Sequence, residues 1–136
     1  MSDTTDLQTL TVTIPMQLDA ALSPNARGGW WKRHRAVQEA RNVTHYTMRA
    51  EIDLNDPEAC FQRARWPLTL HWLIGHGKRR RTWDDDNAIA ATKPFRDQIA
   101  DCLGMDDRWF RTGSLTQVRD PEGQGFVRVV IEEAQE

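Results

Sequence analysis

Three consecutive aspartates, Asp84, Asp85 and Asp86, follow closely on a run of four cations, Lys78, Arg79, Arg80 and Arg81. Adjacent carboxylates repel one another, and a helix dipole relieves only part of that cost. A divalent cation relieves more. Mg²⁺ favours carboxylate oxygens and water, and is usually held by one or two carboxylates together with a substrate phosphate. In an extended segment Asp84 and Asp86 point to one side and Asp85 to the other. That alternation makes Asp84 and Asp86 the expected ligand pair and leaves Asp85 to face solvent or cap a helix. The segment does not continue as a calcium loop, because Ala88 and Ile89 occupy positions that need a ligand and a glycine. Taken alone, it fits a helix cap and a solvated turn as well as it fits a metal site.

Two further groups belong to the same chemistry. Asp106 and Asp107 follow the next helix and can join the first cluster only if the chain folds back. Lys93 is spaced to share a helical face with Asp86, Ala90 and Asp97, opposite Phe95 and Ile99. A lysine reaching back towards the helix N-terminus could stabilise a crowded phosphate or protonate a leaving oxygen. It could equally form an i,i+4 pair with Asp97. The histidines, His34, His45, His71 and His76, lack ligand spacing, and no Ser/His or Cys/His pairing suggests a covalent intermediate.

The net charge of −2 conceals a segregation. Residues 27–81 hold twelve Lys/Arg against five Asp/Glu, a balance of +7, and the rest of the chain holds six against fifteen, a balance of −9. A phosphate-binding surface beside a carboxylate cluster produces this pattern, and so do two solvated faces of opposite charge. Trp30, Trp31, Trp83 and Trp109, four of the six tryptophans, flank charged segments and could stack on unpaired bases or pack inside. Trp66 and Trp72 read as core.

These residues need a scaffold. The 136 residues suit one domain able to bury a core unaided. Hydrophobic residues at 39% and charged residues at 28% exclude a disordered chain, and no apolar stretch is long enough for a membrane span. The polar start MSDTTDLQT argues against a secretory signal. Cys60 and Cys102 form no C-x-x-C pair, so neither a disulfide framework nor a thiolate zinc site is expected, and a reducing cytoplasm is.

Alternation over residues 8–14 predicts a strand ended by Pro15, followed by a turn-rich loop from Ser23 to Gly29. Val37, Ala40, Thr44 and Met48 then predict a helix over 31–52. A connection follows, residues 59–66 are ambiguous, and 67–75 read as a buried strand. Asp85 or Asp86 caps a second helix running to Leu103. Its core face is Ala88, Ala91, Phe95 and Ile99, Pro94 kinks it or starts its main segment, and Gly104 ends it. Residues 112–119 and 125–133 read as strands joined by a hairpin turn at Asp120-Pro121-Glu122-Gly123. The expectation is a single α/β (α+β) domain of order β-α-β-α-β-β, with a mixed sheet of about four strands, two main helices and flexible ends at 1–7 and 134–136.

Three local patterns, in this order and spacing, resemble the RusA family of Holliday-junction resolvases, in particular its phage and prophage branch. They are Leu22-Ser23-Pro24-Asn25-Ala26-Arg27 with a basic helix behind it; Asp84-x-Asp86-Asn87 leading to Lys93-Pro94 and Asp97; and Gly104-x-Asp106-Asp107. The resemblance spans residues 9–133. It implies a homodimeric, Mg²⁺-dependent endonuclease that hydrolyses phosphodiesters of four-way DNA junctions with metal-activated water. Carried over, Asp84, Asp86 and Asp107 are the metal ligands, with Asp106 the rival for the third place. The family's functional lysine falls on Ala90, and the nearest lysine is Lys93. The resemblance gives Asn25, Lys32, Arg33, Arg35 and Lys78 to Arg81 the task of binding DNA. A nuclease acting on flaps or forks and a catalytically degenerate DNA-binding module are the competing expectations.

Overall fold

The structure is a computed structural model and describes residues 9–55, 67–78 and 82–133. The ends at 1–7 and 134–136, the ambiguous stretch 59–66 with Cys60 and Trp66, and Arg79, Arg80 and Arg81 lie outside the described residues.

Strand β1 (Thr9–Ile14) shows the strict alternation its sequence predicts, with Leu10, Val12 and Ile14 buried and the threonines between them exposed. A 3-10 turn at Ala20–Leu22, capped by the Asp19 carboxylate, leads into the loop before α1 (Gly29–Asn55). Gly28 and Gly29 both take positive φ, 126° and 81°, which lets the chain turn sharply into the helix. Helix α1 buries Ala36, Ala40, Thr44 and Met48. Strand β2 (Leu68–His76) follows, then α2 (Asp85–Ala91) and α3 (Lys93–Leu103). The second predicted helix is thus two, divided at Thr92, with Pro94 in the first turn of α3 where its missing N–H costs nothing. Gly104 ends α3 in the left-handed conformation, and the Met105 N–H reaches back to the Ala100 carbonyl. Strands β3 (Phe110–Arg119) and β4 (Phe126–Glu133) complete the chain.

The sheet is mixed, in the order β1-β4-β2-β3. Strand β4 runs antiparallel to both β1 and β2, and β3 runs parallel to β2 through the α2–α3 crossover. This is the expected single α+β domain. The expected hairpin is corrected: residues 120–125 do turn the chain, but β3 and β4 do not pair, because β2 lies between them. The turn is an arch over the end of β2. The Asp120 N–H donates to the His76 carbonyl at 2.8 Å and the Lys78 N–H to the Gly123 carbonyl at 3.1 Å. The Asp120 carboxylate holds the arch from inside, accepting from the backbone N–H of Glu122, Gln124 and Gly125.

The core lies between one face of the sheet and the helices. Val12, Ile14, Leu70, Ile74, Val129 and Ile131 meet Met48 of α1 and Phe95 and Ile99 of α3. Trp72 belongs to this core, as its sequence position predicts. Among the described residues no helix is long and apolar enough to cross a membrane.

Candidate nucleic-acid and metal site

The two strongest sequence patterns meet in space. The Ser23–Ala26 loop and the segment Thr82–Asn87 face each other across an open groove of about 380 Å³, with Ser23 and Asn25 on one side and Trp83, Asp84 and Asn87 on the other. A second groove of about 350 Å³ shares Ala26 with the first and is lined by Arg27, Lys32, Arg33 and Trp30. A cationic groove at the start of α1 thus adjoins, at Ala26, a groove that carries Asp84 at the start of α2. Lys32, Arg33, Arg35, Asn25 and Lys78 are all exposed. Arg33 is held loosely by the Ala21 and Ser23 carbonyls, at 3.5 and 3.3 Å.

The acidic end is built by a residue that the sequence reading passed over. Gln117 of β3 uses its whole amide on the segment before α2. Its Oε1 accepts from the Trp83 N–H at 2.7 Å and from His76 Nε2 at 2.8 Å. Its Nε2 donates to the Trp83 carbonyl at 2.8 Å and to Asp85 Oδ1 at 3.1 Å. His76 is buried, with Nδ1 facing the Gln17 side chain. This clamp corrects the expected roles of the three aspartates. Asp84, not Asp85 or Asp86, is the residue preceding α2, and it makes no side-chain cap hydrogen bond. The strand-like alternation does not hold, because helix geometry begins at Asp85. Asp85 is turned to Gln117 rather than to solvent alone.

Asp84 and Asp86 are exposed, and among the described residues neither carboxylate has an ion pair or a side-chain hydrogen bond. Asp107 lies elsewhere in the charge pattern. Its Oδ2 is 4.0 Å from Lys93 Nζ, which also lies 3.4 Å from Asp97 Oδ1. Asp106 is occupied locally, accepting the Arg108 N–H at 3.0 Å and facing the Arg108 guanidinium at 3.8 Å. Arg96 fixes this corner. It donates to the Asp107 and Phe110 carbonyls at 3.3 and 2.7 Å, tying the Asp107–Trp109 turn to α3. Among the described residues no three His, Cys, Asp or Glu side chains stand close enough together to hold a metal ion. Asp84 and Asp86 stand at the start of α2, and Asp107 stands beside Lys93 of α3.

The donor chemistry suits Mg²⁺ even so. Exposed carboxylates without cationic partners among the described residues are hard oxygen ligands, and this ion needs only one or two of them when water and a phosphate supply the rest. The described histidines and cysteine are engaged otherwise. His71 sits between Ser114 and Glu132, His34 stacks on Trp30, and burial pushes the Cys102 thiol above its ordinary value of 9.0. A thiol so shifted stays protonated at neutral pH and is a poor nucleophile.

Fold and site together define a small α+β protein with a mixed four-stranded sheet and two adjoining grooves, one lined by cations and one by Asp84. No model of a known protein family matches the chain. A protein of Xylella fastidiosa (strain Temecula1 / ATCC 700964), described as an uncharacterized protein, is 36% identical over 125 residues, which cover 86% of this chain and 71% of the relative. The chain belongs to the family of that protein.

Proposed function

We propose that this protein is a Mg²⁺-dependent, structure-selective DNA endonuclease of the RusA type, acting on four-way junctions. The single observation that carries the reading is the groove in which the Ser23–Ala26 loop faces Trp83, Asp84 and Asn87, with a cationic groove continuing from it. The loops after β1 and β2 leave the same end of the sheet, and two patterns about sixty residues apart line one groove there. A strand of DNA needs both, cations to hold its phosphates and carboxylates where it is cut.

Asp84 and Asp86 would hold the ion, with a backbone phosphate completing its shell. When bound, Mg²⁺ supplies positive charge to the scissile phosphate and activates water for attack on it. The chain's own residues do the positioning. Gln117 fixes the backbone from Trp83 to Asp85, and Arg96 fixes Asp107 against Lys93. Lys93, exposed and between the carboxylates of Asp97 and Asp107, would donate a proton or a charge to a leaving oxygen. Lys32, Arg33, Arg35 and Lys78, with Arg79, Arg80 and Arg81, neutralise phosphates without reading sequence. A two-fold homodimer suits a substrate with two strands to cut, and a monomeric mass at micromolar concentration would count against it.

Cleavage of a synthetic four-way junction in Mg²⁺ tests the reading. Asp86→Asn is expected to lose activity by about a hundredfold or more while binding the junction as before. Undiminished cutting removes Asp86 from the site. Ala90 at the family's lysine position favours a second reading as a catalytically silent DNA-binding module. That module would bind branched DNA with steep salt dependence and yield no product with any divalent metal.

A further inference from the structure

The start of α1 exposes what a protein ordinarily buries. Trp30 and Trp31 are 63% and 71% exposed, although tryptophan carries a large apolar surface whose burial stabilises a fold. They are not scattered. The Trp30 ring lies flat on His34, at 4.7 Å and 10°, and edge-on to Trp31, at 4.6 Å and 80°. Three rings thus form one ordered cluster in water, close to two neighbouring cations, Lys32 and Arg33. Trp30 also lines the groove of about 350 Å³ together with Arg27, Lys32 and Arg33. An ordered apolar patch on a surface signals a partner, and the charges around it say which kind.

We propose that this cluster is a stacking ledge for unpaired nucleotides, with bases on the Trp30 and Trp31 rings and phosphates against Arg27, Lys32 and Arg33. Flat apolar rings bordered by cations match the two halves of a nucleotide. Bases inside a duplex offer no free face for stacking, so the occupant is single-stranded. A buried protein partner would leave three cations needing carboxylates, whereas a nucleic-acid strand brings a negative charge with every base. The inference rests on the DNA-binding reading above and deepens it: at a branch point the ledge takes bases that leave their pairs, and the groove that Trp30 lines shares Ala26 with the groove of Asp84.

Fluorescence anisotropy in EDTA, with a labelled short oligodeoxythymidylate and a blunt duplex of equal length, tests the ledge without any cleavage step. The wild-type protein is expected to bind the single strand more tightly than the duplex, with quenching of tryptophan fluorescence. Trp30→Ala and Trp31→Ala are each expected to weaken single-strand binding about 5- to 150-fold, and Trp30→Phe to retain most of it. Because both side chains are exposed, these variants should fold, which circular dichroism checks. Equal binding of single strand and duplex, or alanine variants that bind like wild type, overturns the proposal. So does a change in oligomeric state in the alanine variants, which would make the rings a contact with a second copy. Junction cleavage that persists while oligodeoxythymidylate binding ignores Trp30 sinks the ledge alone. Tight Trp30-dependent binding without cleavage of any junction removes the nuclease and leaves the ledge.

Discussion

The starts of α1 and α2 both present a run of charged residues, yet they are held in opposite ways. Around Lys32, Arg33 and Arg35 the side chains project into water, and the described anchors are two long contacts from Arg33 to carbonyls. Around Asp84, Asp85 and Asp86 the backbone is gripped from the sheet by Gln117, which bonds both the N–H and the carbonyl of Trp83. The difference fits the roles proposed for the two regions. Phosphates along a strand can be met by flexible cations, because electrostatic attraction is tolerant of geometry. Groups that act at one bond must be held within a fraction of an ångström, which takes supporting hydrogen bonds.

The largest test of this contrast is Gln117→Leu. It removes all four bonds and leaves the Trp83 N–H and the His76 Nε2–H without their acceptor. A loss of about 3 kcal/mol in unfolding free energy is expected by denaturant titration, together with loss of whatever activity depends on Asp84. Gln117→Glu keeps two acceptors but sets a carboxylate against Asp85 and the Trp83 carbonyl, so its loss should be similar or larger above neutral pH than at pH 4. A stability unchanged in both variants would erase the distinction between the two helix starts.

Arg96→Met is the next test. It keeps the stem of the side chain and deletes the donors that tie the Asp107 and Phe110 carbonyls to α3. Hydrogen bonds from a charged donor support an expected loss of about 2 kcal/mol. Among the described residues the buried Arg96 Nε has no partner, so part of the cost of burying the guanidinium is relieved and the net loss stays below that of Gln117→Leu. If Lys93 acts with Asp107, activity in Arg96→Met should fall further than stability does.

How much of this was legible in the sequence follows from what periodicity and spacing encode. Alternation placed β1, the 3.6-residue repeat placed both core faces, and Pro94 with Gly104 marked the ends of α3, because each is a local property. The partner of a strand is not local. A Pro-Gly turn between two strands reads as a hairpin, and only the demand of the parallel crossover for a place beside β2 puts β4 elsewhere. The aspartate cluster was visible, but its geometry was not, since strand alternation and helix start give the same three residues different directions. Gln117 carried no signal at all, because an amide in a strand looks like any solvated strand residue until the fold brings Trp83 to it.

The arch beyond Gln117 gives a smaller effect, confined to acid. The Gly125, Glu122 and Gln124 amides donate to the ionised Asp120 carboxylate and hold its titration below the ordinary value of 3.8. Its contribution is therefore complete above that value and is lost as pH falls through the lower folded-state one. Denaturation midpoints measured from pH 7 to pH 2 should show this loss in the wild type and a flatter profile in Asp120→Asn. An identical acid profile would show that the arch does not steady the end of β3, and with it the Gln117 clamp.

The smallest effect on stability belongs to the basic side, and that smallness is what makes it informative. Lys32→Gln and Arg33→Gln remove charges that no carboxylate among the described residues pairs, at positions open to water. Such surface changes are expected to move unfolding free energy by no more than about 0.5 kcal/mol. Their effect should appear instead in binding. Each lost phosphate contact lowers the slope of log affinity against log salt by about 0.9 on duplex DNA, uniformly across sequences. A variant that loses stability but keeps the wild-type slope would mean that Arg33 serves the Ala21 and Ser23 carbonyls rather than DNA. A variant that loses slope and keeps stability would support the proposed roles, with the open start of α1 meeting phosphates and the clamped start of α2 serving the chemistry.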